Sequence, residues 1–196
     1  AGLVLPLPLA LGEKKRRAAA ITIGCSLATA FFAILLLPGL PGMLGEAHEI
    51  LQGRAEDEFG SGRVFIWKNV WQAVKELFGG GPDTLSHRIT AYFERYDEAT
   101  NIMRRSGIDT AHNEYLNILA NQGIFALLCW LAALGYSAVR FVRTAGEEPA
   151  VLICGSAVLG YCMQAFFGIS MCLSTPFFLI AWAILENRES CRKKIE

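Results

Sequence analysis

Long apolar blocks on either side of one long polar segment constrain this chain more than any other feature. The blocks cover residues 18–37, about 114–139, 150–168 and 171–186, and the polar segment covers residues 38–112. A helix needs about 20 apolar residues to cross a bilayer. Since 53% of the residues are hydrophobic and they are concentrated in blocks, the pattern favours a multi-pass membrane protein over a soluble domain. We predict an all-α fold, a polytopic transmembrane helix bundle with a long loop that contains short amphipathic helices.

Basic residues predict the orientation of this bundle. The run from Glu13 to Arg17 contains four adjacent cations, and Arg140 and Arg143 end the second apolar block. Positive residues accumulate on the cytoplasmic side, so the polar segment should lie outside the cytoplasm.

Three regions follow from this topology. We expect the end of one transmembrane helix, a basic cytoplasmic loop and one outward helix in residues 1–37, an extracytoplasmic loop with the candidate catalytic residues in 38–112, and three transmembrane helices with a cytoplasmic tail in 113–196. The chain starts inside an apolar stretch without a basic leader, so we expect it to be the C-terminal part of a longer protein.

Charge and cysteine content exclude several classes of function. Eighteen basic and 18 acidic residues balance, so nothing indicates a nucleic-acid partner. Five of the six cysteines lie in apolar blocks, and no CxxC pair is present. We therefore predict no disulfide framework, no metal site and no cofactor.

Two amphipathic helices are predicted within the outer loop. Apolar residues recur at helical spacing from Val64 to Phe78, with Ser61 as the N-cap and a glycine-rich stop at residues 79–82. A second helix is predicted from Ser86 to Arg105.

His112 is the leading candidate for chemistry. It lies where the polar loop meets the next apolar block, and we place it in the first turn of that helix, capped by Asp109 or Thr110. An imidazole can accept a proton from a hydroxyl near neutral pH. Catalysis and an interfacial histidine that bonds a backbone carbonyl both stay open at this point.

Asparagines follow His112 at regular spacing. Asn113, Asn117 and Asn121 repeat every four residues and form a polar stripe on one side of the predicted helix. Hydrogen bonding between helices and lining of a polar cavity are both consistent with the stripe.

Arginines in the loop are candidates for binding an anion. Arg63 stands at the start of the predicted amphipathic helix, where the dipole disfavours a cation. A guanidinium can hold a phosphate through two hydrogen bonds, and Arg88 is a further candidate from the same loop.

Taken together, three motifs resemble the C-terminal region of the O-antigen ligase and polymerase family. They are Ser61-Gly62-Arg63 followed by Trp67, the glycine-rich run from Phe78 to Thr84, and Ala111-His112-Asn113-Glu114-Tyr115-Leu116 followed by Gln122-Gly123. The resemblance covers about residues 55–130.

The resemblance implies an integral membrane glycosyltransferase of cell-envelope polysaccharide biosynthesis. It would move a glycan from a polyprenyl-diphosphate carrier, such as undecaprenyl diphosphate, to a hydroxyl of a lipid, glycan or protein acceptor, by inverting and metal-independent chemistry at the outer face of the plasma membrane. His112 matches the family's proposed base and Arg63 an arginine that holds the diphosphate. We predict further substrate contacts for Arg88, Asn113 and Tyr115. The family also uses an arginine from an earlier loop, so this chain alone should be inactive.

Two other functions compete with this interpretation. A repeat-unit polymerase of the same family shares the motifs and differs in its acceptor. A transport or scaffold protein of the same pathway would bind the carrier headgroup without turnover. Because the charges cluster in one outer loop rather than deep within several spans, the sequence favours an enzyme.

Overall fold

The computed structural model describes residues 8, 11, 13–54, 56–74, 77–97, 99–145 and 149–192. Within these ranges the chain is mostly helical, with eight helices and one two-stranded sheet. The elements are α1 (Glu13–Leu36), α2 (Met43–Leu51), α3 (Phe59–Ala73), α4 (Leu85–Arg88), β1 (Tyr92–Asp97), β2 (Ile102–Gly107), α5 (Glu114–Gln122), α6 (Ile124–Thr144), α7 (Pro149–Ala165) and α8 (Thr175–Arg192). They form two compact units, one of Thr29–Leu128 and one of Ala1–Ala28 with Cys129–Glu196.

Two of the described helices are long and apolar enough to cross a membrane. They are Arg17–Leu36 within α1, with 20 residues, and Ile124–Thr144, with 21 residues. Pro149–Ala165 and Thr175–Asn187 are apolar but shorter. No residue of the apolar window in α1 is buried, and an apolar surface of this size is typical of a helix that contacts lipid. The membrane crossings by these four helices, and the side of the membrane on which the polar segment lies, stay predictions.

The boundaries of two predicted segments were wrong. The basic run from Glu13 to Arg17 belongs to α1 rather than to a loop. The second apolar block is two helices, because Gly123 separates α5 from α6 with φ at 91°. Most of the predicted helix end over residues 1–11, the loop residues 146–148 and the tail residues 193–196 lie outside the described residues.

In the Thr29–Leu128 unit, side chains of α2 and of its C-cap residue form hydrogen bonds with the last carbonyl groups of α1. The last carbonyl groups of a helix lack partners within it. Nδ1 of the buried His48 donates to the carbonyl of Ile34 at 2.7 Å, and Nε2 of Gln52 donates to that of Leu35 at 3.0 Å. The turn from α1 into α2 is therefore held by specific hydrogen bonds.

The small core of this unit joins α3 to the segments around α4 and α5. It consists of buried Val70, Leu85, Ile89, Ile108, Ala111 and Ala120. Ile108 and Ala111 are neighbours of His112 in the sequence, so the core fixes the chain on the N-terminal side of the candidate base.

A β-hairpin occupies most of the segment that was predicted to be a second helix. β1 and β2 are antiparallel, with Tyr92 paired to Gly107 and Asp97 to Ile102. The prediction of an all-α fold is therefore wrong for residues 92–107, although the described chain is mostly helical.

The other unit contains the first part of α1, most of α6, and α7 and α8. Gly155 of α7 lies so close to Phe141 of α6 that a Cβ atom would come within 2.2 Å of the ring. The rings of Tyr161 and Phe178 stack with centroids 4.2 Å apart. Within these apolar helices, Glu186 accepts hydrogen bonds from Ser137 Oγ and Arg140 Nη1, each at 2.5 Å.

Candidate functional site

His112 lies at an elbow immediately before α5, where the backbone takes an uncommon conformation. Its φ is 47°, in the left-handed region that a residue with a Cβ atom rarely adopts. The N-cap of α5 is Asn113, whose Oδ1 accepts from Leu116 N at 3.0 Å. The predictions that Asp109 or Thr110 caps this helix, and that His112 is in its first turn, were therefore wrong.

Both backbone groups of Ala111, the residue before the elbow, are held by side chains. Trp67 Nε1 donates to the carbonyl of Ala111 at 2.9 Å, and the amide of Ala111 donates to Asn117 Oδ1 at 3.4 Å. Together with the Asn113 cap, these bonds fix the chain on both sides of His112. A left-handed residue persists when its surroundings hold it in this way, and such residues cluster at functional sites.

The His112 side chain contributes to the wall of a cavity of about 890 Å³. This size suits a small or medium organic ligand. The wall combines aromatic, ionisable and hydroxyl groups, including Ser61, Phe93, Tyr96, Arg104, Asp109 and His112. The cavity therefore brings a proton acceptor, a cation and aromatic surfaces to one place.

The β-hairpin forms one wall of the cavity. The Phe93 ring packs on Phe65 with centroids 5.7 Å apart. It also lies against Gly62, where a Cβ atom would come within 3.0 Å of the ring. Tyr96 donates its hydroxyl to Asn101 in the turn. Tyr96 and Arg104 were not singled out as site residues from the sequence, because the hairpin that carries them was taken for a helix.

Arg63 follows a break in α3 that adjoins the cavity. Gly60, Ser61 and Gly62 all have positive φ values, so α3 is kinked there and Ser61 is not its N-cap. Arg63 Nη1 donates to the carbonyl of Gly60 at 2.7 Å. Its Nε is buried and has no hydrogen-bond partner among the described residues. An unpaired buried donor costs about 1 to 3 kcal/mol. Arg63 is not among the residues that line the cavity, whereas Ser61 in the break before it is.

Arg88 has protein acceptors for both terminal nitrogens. Nη2 donates to the Ala120 carbonyl at 2.8 Å and to Asn121 Oδ1 at 3.3 Å, while Nη1 donates to the Ala73 carbonyl at 3.4 Å. Its Nε, like that of Arg63, is buried without a partner in the described part of the chain. These bonds link the C-terminal ends of α3 and α5.

The remaining predicted site residues adjoin the elbow. Asn113 is buried and acts as the cap of α5, and Tyr115 is half-buried in the first turn of that helix. Asn113 directly follows His112 and Tyr115 is three residues after it, while Arg88 binds the opposite end of α5; neither Asn113 nor Tyr115 is among the residues that line the cavity. Their contacts with a substrate stay a prediction.

The glycine-rich run from residue 79 to 81 packs backbone against backbone on the end of α5. Gly80 N donates to the Ala120 carbonyl at 3.1 Å and Gly81 N to the Asn121 carbonyl at 2.9 Å. At Gly79 a Cβ atom would lie 2.5 Å from the backbone of Asn121. The amide groups of Gly80 and Gly81 thus bind protein carbonyls. No group of three or more His, Cys, Asp or Glu side chains in the described ranges could hold a metal ion.

The chain is therefore mostly helical, with two helices long and apolar enough to cross a membrane and a cavity of mixed polar and apolar lining formed by other segments. The sequence profile of the O-antigen ligase family, Wzy_C, matches residues 1–131. This chain belongs to the O-antigen ligase family, as the motifs predicted. The family places it among membrane-associated proteins with glycan ligase or polymerase-like function, and so supports an enzyme at that level. Neither curated proteins nor solved structures gave a match.

Proposed function

We propose that the cavity is the catalytic site of an inverting glycosyl transfer on the extracytoplasmic face of the membrane. The donor would be a glycan linked to a polyprenyl diphosphate, and the acceptor a hydroxyl group. The observation that carries this proposal is the position of His112, on a backbone fixed from both sides, in the wall of a cavity large enough for a sugar.

The proposed reaction needs a proton acceptor and a cation. The acceptor oxygen attacks the anomeric carbon while the bond from that carbon to the diphosphate oxygen breaks. The hydroxyl proton passes to the His112 imidazole, and the diphosphate leaves with the bonding electron pair. The Arg63 guanidinium, which follows the cavity-lining Ser61 at the break in α3, stabilises the negative charge of the leaving group.

The aromatic wall suits the glycan part of the substrate. Phe93 and Tyr96 line the cavity, and binding sites for organic ligands combine such aromatic surfaces with a few polar groups. Asn113 and Tyr115 lie next to the base in the sequence, and we keep them as candidate substrate contacts.

The test compares two histidines of the same segment. In the full-length membrane protein that contains this chain, we would replace His112 by alanine and, as the matched control, the exposed His87. We expect glycan transfer from a polyprenyl-diphosphate donor to fall at least about 100-fold for His112→Ala, which is the lower range for a lost general base. The control should transfer normally.

Membrane abundance must be equal for the three proteins. If His112→Ala accumulates normally and still transfers glycan, His112 is not the base. If the unsubstituted protein binds the carrier but transfers no glycan, a non-catalytic transport or scaffold function of the same pathway is the better interpretation.

A further inference from the structure

A continuous chain of side-chain hydrogen bonds runs along α5 toward His112. Arg88 Nη2 donates to Asn121 Oδ1 at 3.3 Å, and Asn121 Nδ2 donates to Asn117 Oδ1 at 3.3 Å. The same Asn117 oxygen accepts from the amide of Ala111 at 3.4 Å. The chain therefore connects a guanidinium at the C-terminal end of α5 with the backbone next to the candidate base.

Helical geometry explains why asparagines can form this chain. Residues four apart lie one above the other on a helix surface, which brings the Asn117 and Asn121 amides into contact. Asn121 is 6% exposed, and a buried amide without partners would be costly. Asn117 accepts two hydrogen bonds, so a side chain without an oxygen at this position would release the amide of Ala111.

The elbow needs such support. A left-handed backbone costs a residue with a Cβ atom about 1 to 2 kcal/mol, so His112 with φ at 47° keeps this conformation only if neighbouring groups hold it. The Asn117 side chain accepts from the amide of Ala111, and the Trp67 side chain donates to the carbonyl of Ala111.

Arg88 is itself fixed by its surroundings. A Cβ atom on Gly80 would lie 2.3 Å from Arg88 Cζ, so the absence of a side chain there makes room for the guanidinium. Its acceptors include the carbonyls of Ala73 and Ala120. These lie at the C-terminal ends of α3 and α5, where the helix dipole favours a cation.

We infer that Arg88, Asn121 and Asn117 are positioning residues that set the orientation of the His112 backbone, and that Arg88 acts through this chain rather than by contact with the substrate. The inference rests on the proposed function, because it assumes that the position of His112 matters for turnover. Every hydrogen bond in this chain joins two atoms of the protein, so the proposed effect of Arg88 needs no contact with the substrate.

The central test is a pair of substitutions at Asn117 in the full-length membrane protein. Asn117→Leu keeps the approximate size and loses the oxygen, whereas Asn117→Asp keeps an oxygen that can accept from Ala111 and Asn121. A displacement of about 1 Å can cost about 100-fold in rate. We expect Asn117→Leu to lower kcat by about 10- to 100-fold with KM for the donor within about twofold, and Asn117→Asp to restore most of kcat.

A double-mutant cycle separates positioning from substrate contact by Arg88. Arg88→Met should lower kcat at unchanged KM, and the Arg88→Met/Asn117→Leu protein should be no slower than the slower single variant, because both changes interrupt one chain. If Arg88 binds the donor, its replacement raises KM and the two effects multiply. The exposed Arg54, which lies outside the hairpin and the cavity wall, is replaced by methionine as the matched control and should retain normal kinetics.

Two further outcomes are decisive. If Asn117→Leu does not accumulate, Asn121→Ala takes its place, because it removes the donor to Asn117 in the middle of the chain. Normal kcat in that variant would overturn the inference. Loss of transfer in His112→Ala together with a raised KM in Arg88→Met would overturn this inference alone, whereas transfer by His112→Ala would overturn the proposed function.

Discussion

Replacement of Gly123 by alanine should destabilise the junction between α5 and α6 strongly. Gly123 has φ at 91° and ψ at 177°, a combination that is almost confined to glycine and that costs other residues about 1 to 3 kcal/mol. An added Cβ atom would lie 2.3 Å from the carbonyl oxygen of Leu77 and 2.7 Å from the amide nitrogen of Gly79. Because both obstacles are backbone atoms, no side-chain rotation can relieve the contact.

Relief of this clash would separate two backbone segments that now bind each other. This separation would weaken or break three backbone hydrogen bonds, which are Gly80 N to Ala120 O, Gly81 N to Asn121 O and Ile124 N to Leu77 O, at 2.9 to 3.1 Å. Each contributes about 0.5 to 1.5 kcal/mol. With the backbone strain, we expect a loss of about 3 to 7 kcal/mol, which is a large part of the stability of a typical domain.

The assay is the thermal unfolding midpoint of the full-length protein in detergent, with membrane abundance measured in parallel. A loss of 3 kcal/mol or more should lower the midpoint by several degrees. The matched control is Gly135→Ala in α6, since a Cβ atom there meets nothing within 4 Å and alanine favours a helix. Equal midpoints for the two variants would refute the backbone contact described above.

Three smaller changes test other parts of the structure. Asn113→Ala should lose the cap of α5 and lower stability by about 1 kcal/mol, while Asn113→Asp should keep it; thermal midpoints distinguish them, and equal losses would contradict the cap. Arg140→Met should remove the ion pair with the Glu186 carboxylate and lower the free energy of unfolding by about 1.5 to 3 kcal/mol. Adding Glu186→Leu should restore part of this stability, and the thermal midpoints of the single and double variants measure both changes. The Arg54 guanidinium lowers the pKa of Glu49 through a side-chain hydrogen bond. The contact therefore stabilises the fold above the pKa that Glu49 has in the unfolded chain, and this stabilisation is lost as the pH falls through the pKa of Glu49 in the folded chain. In Arg54→Gln an NMR titration should show that the pKa of Glu49 rises, and an unchanged pKa would exclude the contact.

Apolar periodicity predicted the helices with long uniform patterns. The block at residues 18–37 agrees within one residue at each end with the apolar part of α1, Arg17–Leu36, because about 20 apolar residues in succession leave few alternatives. The sequence also pointed to His112, which lines the cavity, and to Asn113, which caps α5, since polar groups at the edge of an apolar block are conspicuous; their roles in a functional site stay predictions.

The hairpin was missed because short aromatic segments fit two periodicities. Tyr92, Phe93 and Tyr96 share a helical face, and the same residues favour a strand. Two six-residue segments on either side of a turn that contains Asn101 could have indicated a hairpin. Asn101 has φ at 55° in the structure, and asparagine tolerates such a conformation in turns.

The break at Gly123 was missed for a different reason. Apolar and helix-forming residues continue on both sides of this glycine, so local preferences predict one long helix. The contact with the backbone of Leu77 and Gly79 decides the conformation, and a contact between segments more than 40 residues apart leaves no local pattern. The chain of hydrogen bonds from Arg88 to Ala111 could not be predicted for the same reason.

The hairpin has a consequence for how such a protein can change its substrate. Every residue of β2 is exposed, and substitutions at exposed positions usually change stability by less than about 0.5 kcal/mol. The elbow at His112 is held instead by Trp67, Asn113 and Asn117, none of which belongs to the hairpin. Under the proposed function, the wall that meets the glycan can therefore diversify through mutation at little thermodynamic risk, while the residues that hold the base stay the same.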